Sequence, residues 1–250
     1  AGLERLDMIG FDMCLMAQIE TAVEVQGLAN VMIASQAIEP GNGWPYNEIL
    51  PVFGKGTLGA RRLAQEIVRA YSRFYDAAEA EVATLSALDL DLLPDVLDAF
   101  DGIVARTTPA IEGQWPAFSR ALYYAEAYAD RTDVRRGPQA LASVDLLDAI
   151  KRMRYAVQGW GAEDDYRRLV AAMDRLVLSA HSSPKRRLSN GLAIYAPVHG
   201  EMLDPAYGST RFAQRGTWPA FLQKVHAAQI RGAAAPRFSD MRVTDEKGNA

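Results

Sequence analysis

The sequence predicts an α/β domain in which helices alternate with buried strands. Short apolar runs bounded by turn-forming residues are typical of buried strands, and four of them occur along the chain. Longer segments between these runs carry apolar residues at helical spacing. The first two runs are separated by one helix, which favours a parallel pair joined by a right-handed crossover. This alternation is typical of a layered α/β domain.

The individual elements follow from the same patterns. The predicted strands are residues 6–12, 30–35, 82–88 and 191–197. Pro197 ends the fourth strand, because proline has no N–H to donate to a neighbouring strand. Residues 39–46 are rich in Gly and Pro and are predicted to form a long loop of the kind that carries functional groups. Helices are predicted at residues 15–28, 57–79, 91–106, 115–130, 141–157, 163–181 and 219–230.

Length and composition are those of an ordinary globular protein. The chain has 250 residues, of which 49% are hydrophobic and 23% charged, and its net charge is −4. A chain of this length can bury a stable core without disulfides or a structural metal. A nucleic-acid-binding face needs a basic excess, so we expect no nucleic-acid partner. No apolar run approaches the roughly 18 residues that span a bilayer, so we expect no membrane association.

Cys14 is the single cysteine of the chain, and it lies where a predicted strand gives way to a predicted helix. One thiol forms no internal disulfide and indicates no compartment. Functional groups gather at the carboxyl ends of strands in α/β sheets, and a helix N-terminus favours the reactive thiolate. The alternative is a buried structural cysteine, because free cysteine is among the most buried residue types. Position alone leaves both interpretations open.

Asp12 lies two residues before Cys14, and in an extended chain the two side chains point to the same side. A carboxylate beside a thiol disfavours the thiolate, so this pair makes chemical sense if a substrate cation lies between them. The alternative is that Asp12 caps the helix that follows.

Several motifs, taken in order, resemble the clostripain family of cysteine peptidases. The first is Asp7-Met-Ile-Gly-Phe-Asp-Met-Cys-Leu-Met16, which is similar to the nucleophile motif of that family. The similarity extends over about residues 5–225. Its further motifs are Ile19-Glu20 with Glu24, Ala34-Ser35, Glu39-Pro-Gly-Asn-Gly-Trp44 with Tyr46, Thr84-Leu-Ser-Ala-Leu-Asp89, and Asn190-Gly-Leu-Ala-Ile-Tyr-Ala-Pro197.

The resemblance implies a caspase-like fold, which is a layered α/β/α domain with a mainly parallel central sheet. It implies that N-terminal strands of this sheet are missing from the chain. Residues 1–230 are then the C-terminal, nucleophile-bearing part of the peptidase domain, and residues 231–250 are a linker, a tail or the start of a further module. The implied activity is a cysteine endopeptidase that cleaves after basic residues.

The resemblance also assigns site residues. Cys14 matches the nucleophile, and Asp12 matches the acid at the floor of the pocket for the cleaved Arg or Lys side chain, the S1 pocket. Asn42 falls where many relatives carry a second acid. An amide accepts a hydrogen bond from a guanidinium but adds no charge, so we expect Arg to be preferred over Lys.

The general base of the family is a histidine followed by glycine, upstream of the cysteine. None of the thirteen residues before Cys14 is histidine. The three histidines present, His181, His199 and His226, follow Cys14, and we expect ordinary surface or loop residues. The base is therefore expected on a separate N-terminal light chain, produced by (auto)proteolysis of a zymogen. A shortened chain is the alternative.

Two functional hypotheses follow from the sequence. The first is an active endopeptidase acting on proteins or peptides that contain Arg or Lys. The second is a catalytically inactive caspase-fold module that binds or regulates. We expect no cofactor and no metal site, since no metal-ligand spacing is present. Relatives are often calcium-responsive, but the sequence contains no calcium loop of the D-x-D-x-D kind.

Overall fold

The computed structural model describes residues 5–54, 58–128, 142–197 and 203–233. Within these residues six strands are present: Leu6–Gly10 (β1), Ala29–Ala34 (β2), Thr84–Asp89 (β3), Ser143–Asp145 (β4), Val177–Ser182 (β5) and Ala193–Tyr195 (β6). The central sheet has the order β1-β2-β3-β5, and β4 and β6 form a separate antiparallel pair. β1 and β2 are parallel, whereas β3 is antiparallel to both of its neighbours. Three of the four central strands therefore run in one direction.

The same residues contain nine α-helices. They are Ile19–Val25 (α1), Tyr46–Phe53 (α2), Ala60–Ala77 (α3), Leu93–Thr107 (α4), Ile111–Tyr124 (α5), Leu146–Ala156 (α6), Glu163–Leu176 (α7), Arg211–Arg215 (α8) and Trp218–Ala233 (α9). None of these helices combines the length and the apolar character needed to cross a bilayer. The tail beyond Ala233 and His199 lie outside the described residues.

Strand β2 shows how the sheet is enclosed. Val31 and Ile33 belong to the core formed with α2 and α3, whereas Met32 and Ala34 belong to the larger core formed with α1 and the helices from α4 onward. Successive side chains of a strand point to opposite faces, so helices cover both faces of the sheet. Every residue of β3 is buried, as a central strand requires. The predicted α/β/α layering is confirmed.

Two of the segments predicted as helices include residues that form strands in the structure. The helical pattern over 163–181 ends as a helix at Leu176, and Val177 begins β5. Helical spacing continues across this boundary, but pairing with β3 gives these backbone groups the hydrogen bonds they need. In the same way, β4 lies within the predicted helix 141–157 and pairs with β6. The fourth predicted strand, 191–197, is confirmed as β6 but lies outside the central sheet.

The first predicted helix, 15–28, begins too early. Leu15 has a φ of 61°, which an α-helix does not allow, and the N-cap of α1 is Gln18. Cys14 therefore lies in a loop and not at a helix N-terminus. The interpretation of Asp12 as the cap of this helix is wrong for the same reason.

Glu20, on α1, is a buried acid that joins this helix to the C-terminal part of the chain. Its Oε1 accepts hydrogen bonds from the Tyr195 N–H at 3.0 Å and from the Tyr207 hydroxyl at 2.9 Å. Burial raises the pKa of Glu20 to about 7, and the hydrogen bonds only partly oppose this rise. Because the pKa in the folded state lies above the ordinary value of 4.5, protonation of Glu20 favours folding.

Glu20→Gln is expected to flatten the dependence of the free energy of unfolding on pH. In the wild type, the contribution of this carboxyl is complete below pH 4.5 and is lost as the pH rises through about 7. A shift of that size corresponds to about 3 kcal/mol. Urea unfolding of both proteins at pH 4.5 and pH 8 measures the difference.

The control is Glu24→Gln, which removes a partly exposed carboxylate from the same helix. It is expected to leave the pH dependence as in the wild type. Equal pH dependence in the wild type and Glu20→Gln contradicts the assignment of a raised pKa to Glu20.

Candidate active site

Cys14 lies in the loop between β1 and α1, and its side chain is exposed. The alternative of a buried structural cysteine is therefore wrong. The loop is fastened along the end of β2 and the residues that follow it. Three backbone hydrogen bonds do this: Phe11 N to Ile33 O at 2.9 Å, Leu15 N to Ala37 O at 3.0 Å, and Ala17 N to Ser35 O at 2.9 Å.

Leu15 reverses the chain immediately after the nucleophile candidate. Its left-handed backbone costs a non-glycine residue about 1 kcal/mol or more. Burial of its side chain in a small cluster with Ala37, Tyr128 and Ala193 offsets that cost. The strained turn keeps Cys14 at the surface while the next residue is anchored in the interior.

The sulfur of Cys14 accepts a hydrogen bond from the backbone N–H of Glu39, with N and Sγ 3.2 Å apart. Glu39 opens the loop that was predicted over 39–46. Among the described residues, this N–H is the only polar partner of the sulfur. A backbone N–H fixed at this distance holds the sulfur in place and can donate to it in its thiolate form.

Asp12 is oriented by the same loop. Its Oδ1 accepts from the Trp44 N–H at 3.2 Å, and its Oδ2 accepts from the Tyr46 hydroxyl at 3.1 Å. The pKa of Tyr46 is raised, mostly by burial and then by the neighbouring Asp12 carboxylate. The hydroxyl therefore keeps its proton and donates it to the hydrogen bond. The Asp12 side chain is exposed, so it does not lie on a buried floor as expected from the sequence.

Gly10, in the nucleophile motif, packs against the loop that orients Asp12. A Cβ at Gly10 would lie 2.8 Å from the indole of Trp44, closer than any side chain allows. Glycine at this position therefore lets the buried Trp44 ring cover the end of β1. The motif around Cys14 and the 39–46 loop, which are distant in sequence, therefore pack together at Gly10 and Trp44.

Asn42 lies in the turn from Pro40 to Gly43, which is closed by the Gly43 N–H and the Pro40 carbonyl at 2.8 Å. Its side chain is exposed and makes no hydrogen bond within the described part of the chain. The next residue, Gly43, comes close to Asp12, because a Cβ there would lie 3.2 Å from both carboxylate oxygens. Asn42 thus precedes the residue that approaches Asp12, but the Asn42 and Asp12 side chains form no hydrogen bond with each other.

Glu39 carries a carboxyl group that the sequence analysis did not single out. Both of its oxygens are closed off from solvent and have no hydrogen-bond partner of normal geometry in the described residues. Burial raises the pKa of Glu39 to about 7, the Tyr71 and Ser35 hydroxyls lower it, and the Asp12 charge raises it further. An acid in a Gly/Pro-rich loop after a buried strand was the signal available in the sequence.

Behind the loop, Asp145 joins the remaining motifs and was also missed. It is buried at the N-terminus of α6, and burial raises its pKa. Its carboxylate accepts hydrogen bonds from Gln36 Nε2 at 3.0 Å, Asn190 N at 2.6 Å, Asn190 Nδ2 at 2.9 Å and Tyr128 Oη at 3.2 Å. Further bonds join Ser35 Oγ to Thr84 Oγ1 at 2.9 Å and Ser86 Oγ to the Gly191 carbonyl at 2.6 Å. The motifs around residues 35, 84 and 190 thus meet in one polar network.

The two histidines that the structure describes are buried, so the expectation of surface residues is wrong for them. His181 lies in β5, three strand spacings or roughly 14 Å from β1. It contacts Asp76 at 3.9 Å, and burial lowers its pKa. His226, on α9, is hydrogen-bonded to the Pro197 carbonyl at 2.9 Å. Neither forms a hydrogen bond with Cys14.

No group of three or more His, Cys, Asp or Glu side chains is placed to hold a metal ion in the described parts of the chain. The polar groups near Cys14 are instead one exposed carboxylate, one enclosed carboxyl group and the hydroxyls of tyrosines. Such a set suits recognition of an organic cation beside a thiol nucleophile.

Comparison with known protein families identifies the chain, because the model of the Clostripain family, Peptidase_C11, matches residues 1–183. The chain belongs to the clostripain family. It is therefore a cysteine peptidase of the hydrolase class. The roles of Cys14, Asp12 and Asn42 within it stay predictions.

Solved structures of clostripain-type proteases share the fold. A B. fragilis cysteine protease is 18% identical, with a TM-score of 0.58 over 86% of this chain and 88% of that chain. A clostripain from Bacteroides thetaiotaomicron in complex with the peptide inhibitor BTN-VLTK-AOMK is 16% identical, with a TM-score of 0.61 over 84% and 86%. An inactive zymogen C11 protease from Parabacteroides distasonis is 21% identical, with a TM-score of 0.62 over 84% of this chain and 58% of that chain. The caspase-like fold is confirmed. No curated protein matches this chain.

Gly43→Ala is expected to displace the Asp12 carboxylate. The φ of Gly43 is 61°, and an added Cβ would press on both Asp12 oxygens at 3.2 Å. We expect a loss of stability of about 1 kcal/mol from the backbone alone, and a several-fold fall in peptidase activity from the displaced acid. Thermal unfolding and kcat/KM on a peptide substrate measure the two effects.

Gly41→Ala is the matched control in the same turn, since a Cβ there meets nothing within 4 Å. It should behave like the wild type in both assays. If the two alanine variants are equally stable and equally active, the close approach of Gly43 to Asp12 contributes neither to stability nor to activity.

Proposed function

We propose that this clostripain-family peptidase is an endopeptidase that cleaves after basic residues, with Arg preferred over Lys and with Cys14 as the nucleophile. The observation that carries the proposal is the placement of Cys14 and Asp12 on one short loop, both exposed. Backbone and side-chain donors of the 39–46 loop orient each of them. A peptide can therefore present its scissile carbonyl to the thiol and its basic side chain to the carboxylate.

In the proposed reaction, the Cys14 thiolate attacks the scissile carbonyl carbon. The peptide C–N bond breaks as a histidinium gives its proton to the leaving amine, which leaves a thioester on Cys14. Water then hydrolyses the thioester, releases the carboxylic acid product and restores the thiol. The Glu39 N–H holds the sulfur in position before the attack.

The preference for Arg follows from the hydrogen bonds of Asp12. Each of its oxygens accepts one hydrogen bond from the protein, so each keeps a further lone pair for a ligand. A guanidinium fork fits two carboxylate oxygens at once, whereas an ammonium group is a point charge. Asn42 adds an amide and no charge to the same region.

We place the general base on a separate segment, an N-terminal light chain. Two observations support this. β1 lies at the edge of the sheet, with β2 as its only hydrogen-bonded neighbour in the described residues, and its first residue, Leu6, is 40% exposed. Exposed apolar edge strands are surfaces onto which another strand pairs. A protein of the same fold, the C11 protease from Parabacteroides distasonis, is also known as an inactive zymogen, which fits maturation by cleavage.

Cys14→Ala, expressed from the full-length gene, is expected to abolish both proteolysis and maturation. Cys14 is exposed, so the loss of one sulfur atom should change the melting temperature little. An Arg-containing fluorogenic peptide measures activity. A denaturing gel shows whether the protein runs as one chain, as expected for the variant, or as two, as expected for the wild type.

An arginyl chloromethylketone should label the wild type at Cys14 and leave the variant unmodified. Cleavage at the wild-type rate by the alanine variant would overturn the nucleophile assignment. A wild-type protein that is active as a single chain would overturn the light-chain proposal and leave the nucleophile untouched.

Asp12→Asn is expected to reduce kcat/KM for Arg peptides by tenfold or more, equivalent to about 1.4 kcal/mol of transition-state binding. The neutral amide still accepts from the Trp44 N–H, so the loop should keep its shape. Alkylation of Cys14 by iodoacetamide should therefore proceed at the wild-type rate. Matched Arg, Lys and Ala peptides separate selectivity from general activity.

Tyr46→Phe is the companion variant, because it removes one orienting hydrogen bond from Asp12 without changing the charge. Its loss for Arg peptides should be smaller than that of Asp12→Asn. Unchanged selectivity for Arg in Asp12→Asn would remove this carboxylate from the pocket.

A further inference from the structure

A second carboxyl group lies beside the proposed pocket and has no role in the function described so far. The backbone N–H of Glu39 points at the Cys14 sulfur, so this residue borders the reaction site. Its side chain turns inward, and both carboxyl oxygens are shielded from water without a hydrogen-bond partner of normal geometry among the described residues. A buried acid in this condition is costly unless something pairs with it.

The groups around Glu39 do not give either oxygen a hydrogen bond of normal geometry, and only the Tyr71 and Ser35 hydroxyls lie near enough to lower its pKa. Ser35 Oγ is engaged with Thr84 at 2.9 Å and with the Ala37 carbonyl at 3.1 Å. The Tyr75 hydroxyl donates to the Gly43 carbonyl at 2.6 Å. No Lys or Arg in the described ranges pairs with Glu39 or Asp12.

Tyr71 is the group that lies against the Glu39 carboxyl. It is 0% exposed, and its hydroxyl also lacks a hydrogen bond of normal geometry. This hydroxyl interacts with Glu39: burial raises the pKa of Tyr71 most, and the Glu39 charge, the hydrogen bond to Glu39 and the Asp12 charge raise it further. One hydroxyl donor does not satisfy both oxygens of an ionised carboxylate, so Glu39 needs a further donor from outside once it ionises.

We propose that Glu39 is a specificity-determining residue of the S1 pocket, a second acid that receives the basic side chain of the substrate together with Asp12. It supplies the negative charge that Asn42 lacks. The assignment rests on the proposed cleavage after basic residues. When the cation enters, Glu39 releases its proton to solvent, and the carboxylate pairs with the guanidinium or ammonium group.

The pH dependence of binding follows from this step. Four polar groups face Glu39. They are Asp12 on the loop between β1 and α1, Tyr71 and Tyr75 on α3, and Ser35 directly after β2. Of the acids, Glu39 has a pKa raised to about 7 by burial, so it is largely protonated at pH 6 and largely ionised at pH 8. Cations bind the ionised form, so their affinity should rise about tenfold between these two pH values.

The test measures the competitive inhibition constant of benzamidine against the mature protease expressed from its full-length gene. In the wild type, we expect inhibition to be about tenfold tighter at pH 8 than at pH 6. Glu39→Gln should bind benzamidine more weakly than the wild type at pH 8 and show no change between the two pH values. Its kcat/KM for Arg peptides should fall tenfold or more, while that for Ala peptides stays the same.

The control is Glu48→Gln, which removes an exposed acid from α2 and should behave as the wild type. If Glu39→Gln does not fold, Glu39→Asp replaces it. That variant keeps the charge, so the pH dependence of benzamidine inhibition should remain even though its shorter side chain binds more weakly. A flat pH profile in Glu39→Asp counts against the proposal.

Two results would overturn the assignment while leaving the proposed function intact. One is a Glu39→Gln protease that keeps the wild-type preference for Arg over Ala and the wild-type pH profile. The other is a changed rate of Cys14 alkylation with unchanged Arg selectivity, which would make Glu39 a residue that only positions the thiol. A wild-type enzyme without any preference for basic residues would instead remove the proposed function, and this inference with it.

Discussion

The geometry of the candidate site depends on the attachment of the loop between β1 and α1, which carries Cys14, to the chain that leaves β2. Hydrogen bonds from Phe11, Leu15 and Ala17 run along residues 33–37, and the Glu39 N–H continues the series to the Cys14 sulfur. Loops are normally the most mobile parts of a domain. Here the hydrogen bonding of β2 continues into the two loops that follow β1 and β2, so the central sheet fixes the position of the Cys14 thiol.

The same attachment explains why the motifs are so far apart in sequence. Gly10 must lack a side chain because Trp44 covers it, and Gly43 must lack one because Asp12 lies against it. Asp145 then holds Gln36 and Asn190 together behind the loops. Each motif supplies a surface or a donor that another motif requires, and preorganisation of this kind is what fixes catalytic groups within fractions of an ångström.

The sequence predicted much of this arrangement, and the misses have a common physical cause. Apolar runs located β1, β2 and β3, because a buried strand leaves a local signature. The end of α7 was missed because Val177 continues the helical pattern while its backbone pairs with a strand distant in sequence. Cys14 and Asp12 were predicted from their places in a motif, and the structure puts both on one exposed loop. Asp145 was missed, since its partners come from four separate segments and no local pattern records them.

Glu20 and Glu39 show why a perturbed pKa alone does not identify a functional acid. Burial raises the pKa of each to about 7. Glu20 receives donors from Tyr195 and Tyr207, and these bonds join α1 to the C-terminal part of the chain. Glu39 has no donor of normal geometry in the described residues, although the Tyr71 and Ser35 hydroxyls lower its pKa and its own backbone N–H contacts the thiol. The cause of the shift is the same, and Glu20 Oε2 also lacks a partner in the described residues, so what separates the two acids is their position: Glu20 lies between α1 and the C-terminal part of the chain, whereas Glu39 lies beside Cys14. Its position beside Cys14 is therefore the reason to propose the Glu39 carboxyl, and not that of Glu20, as a group that meets a substrate cation.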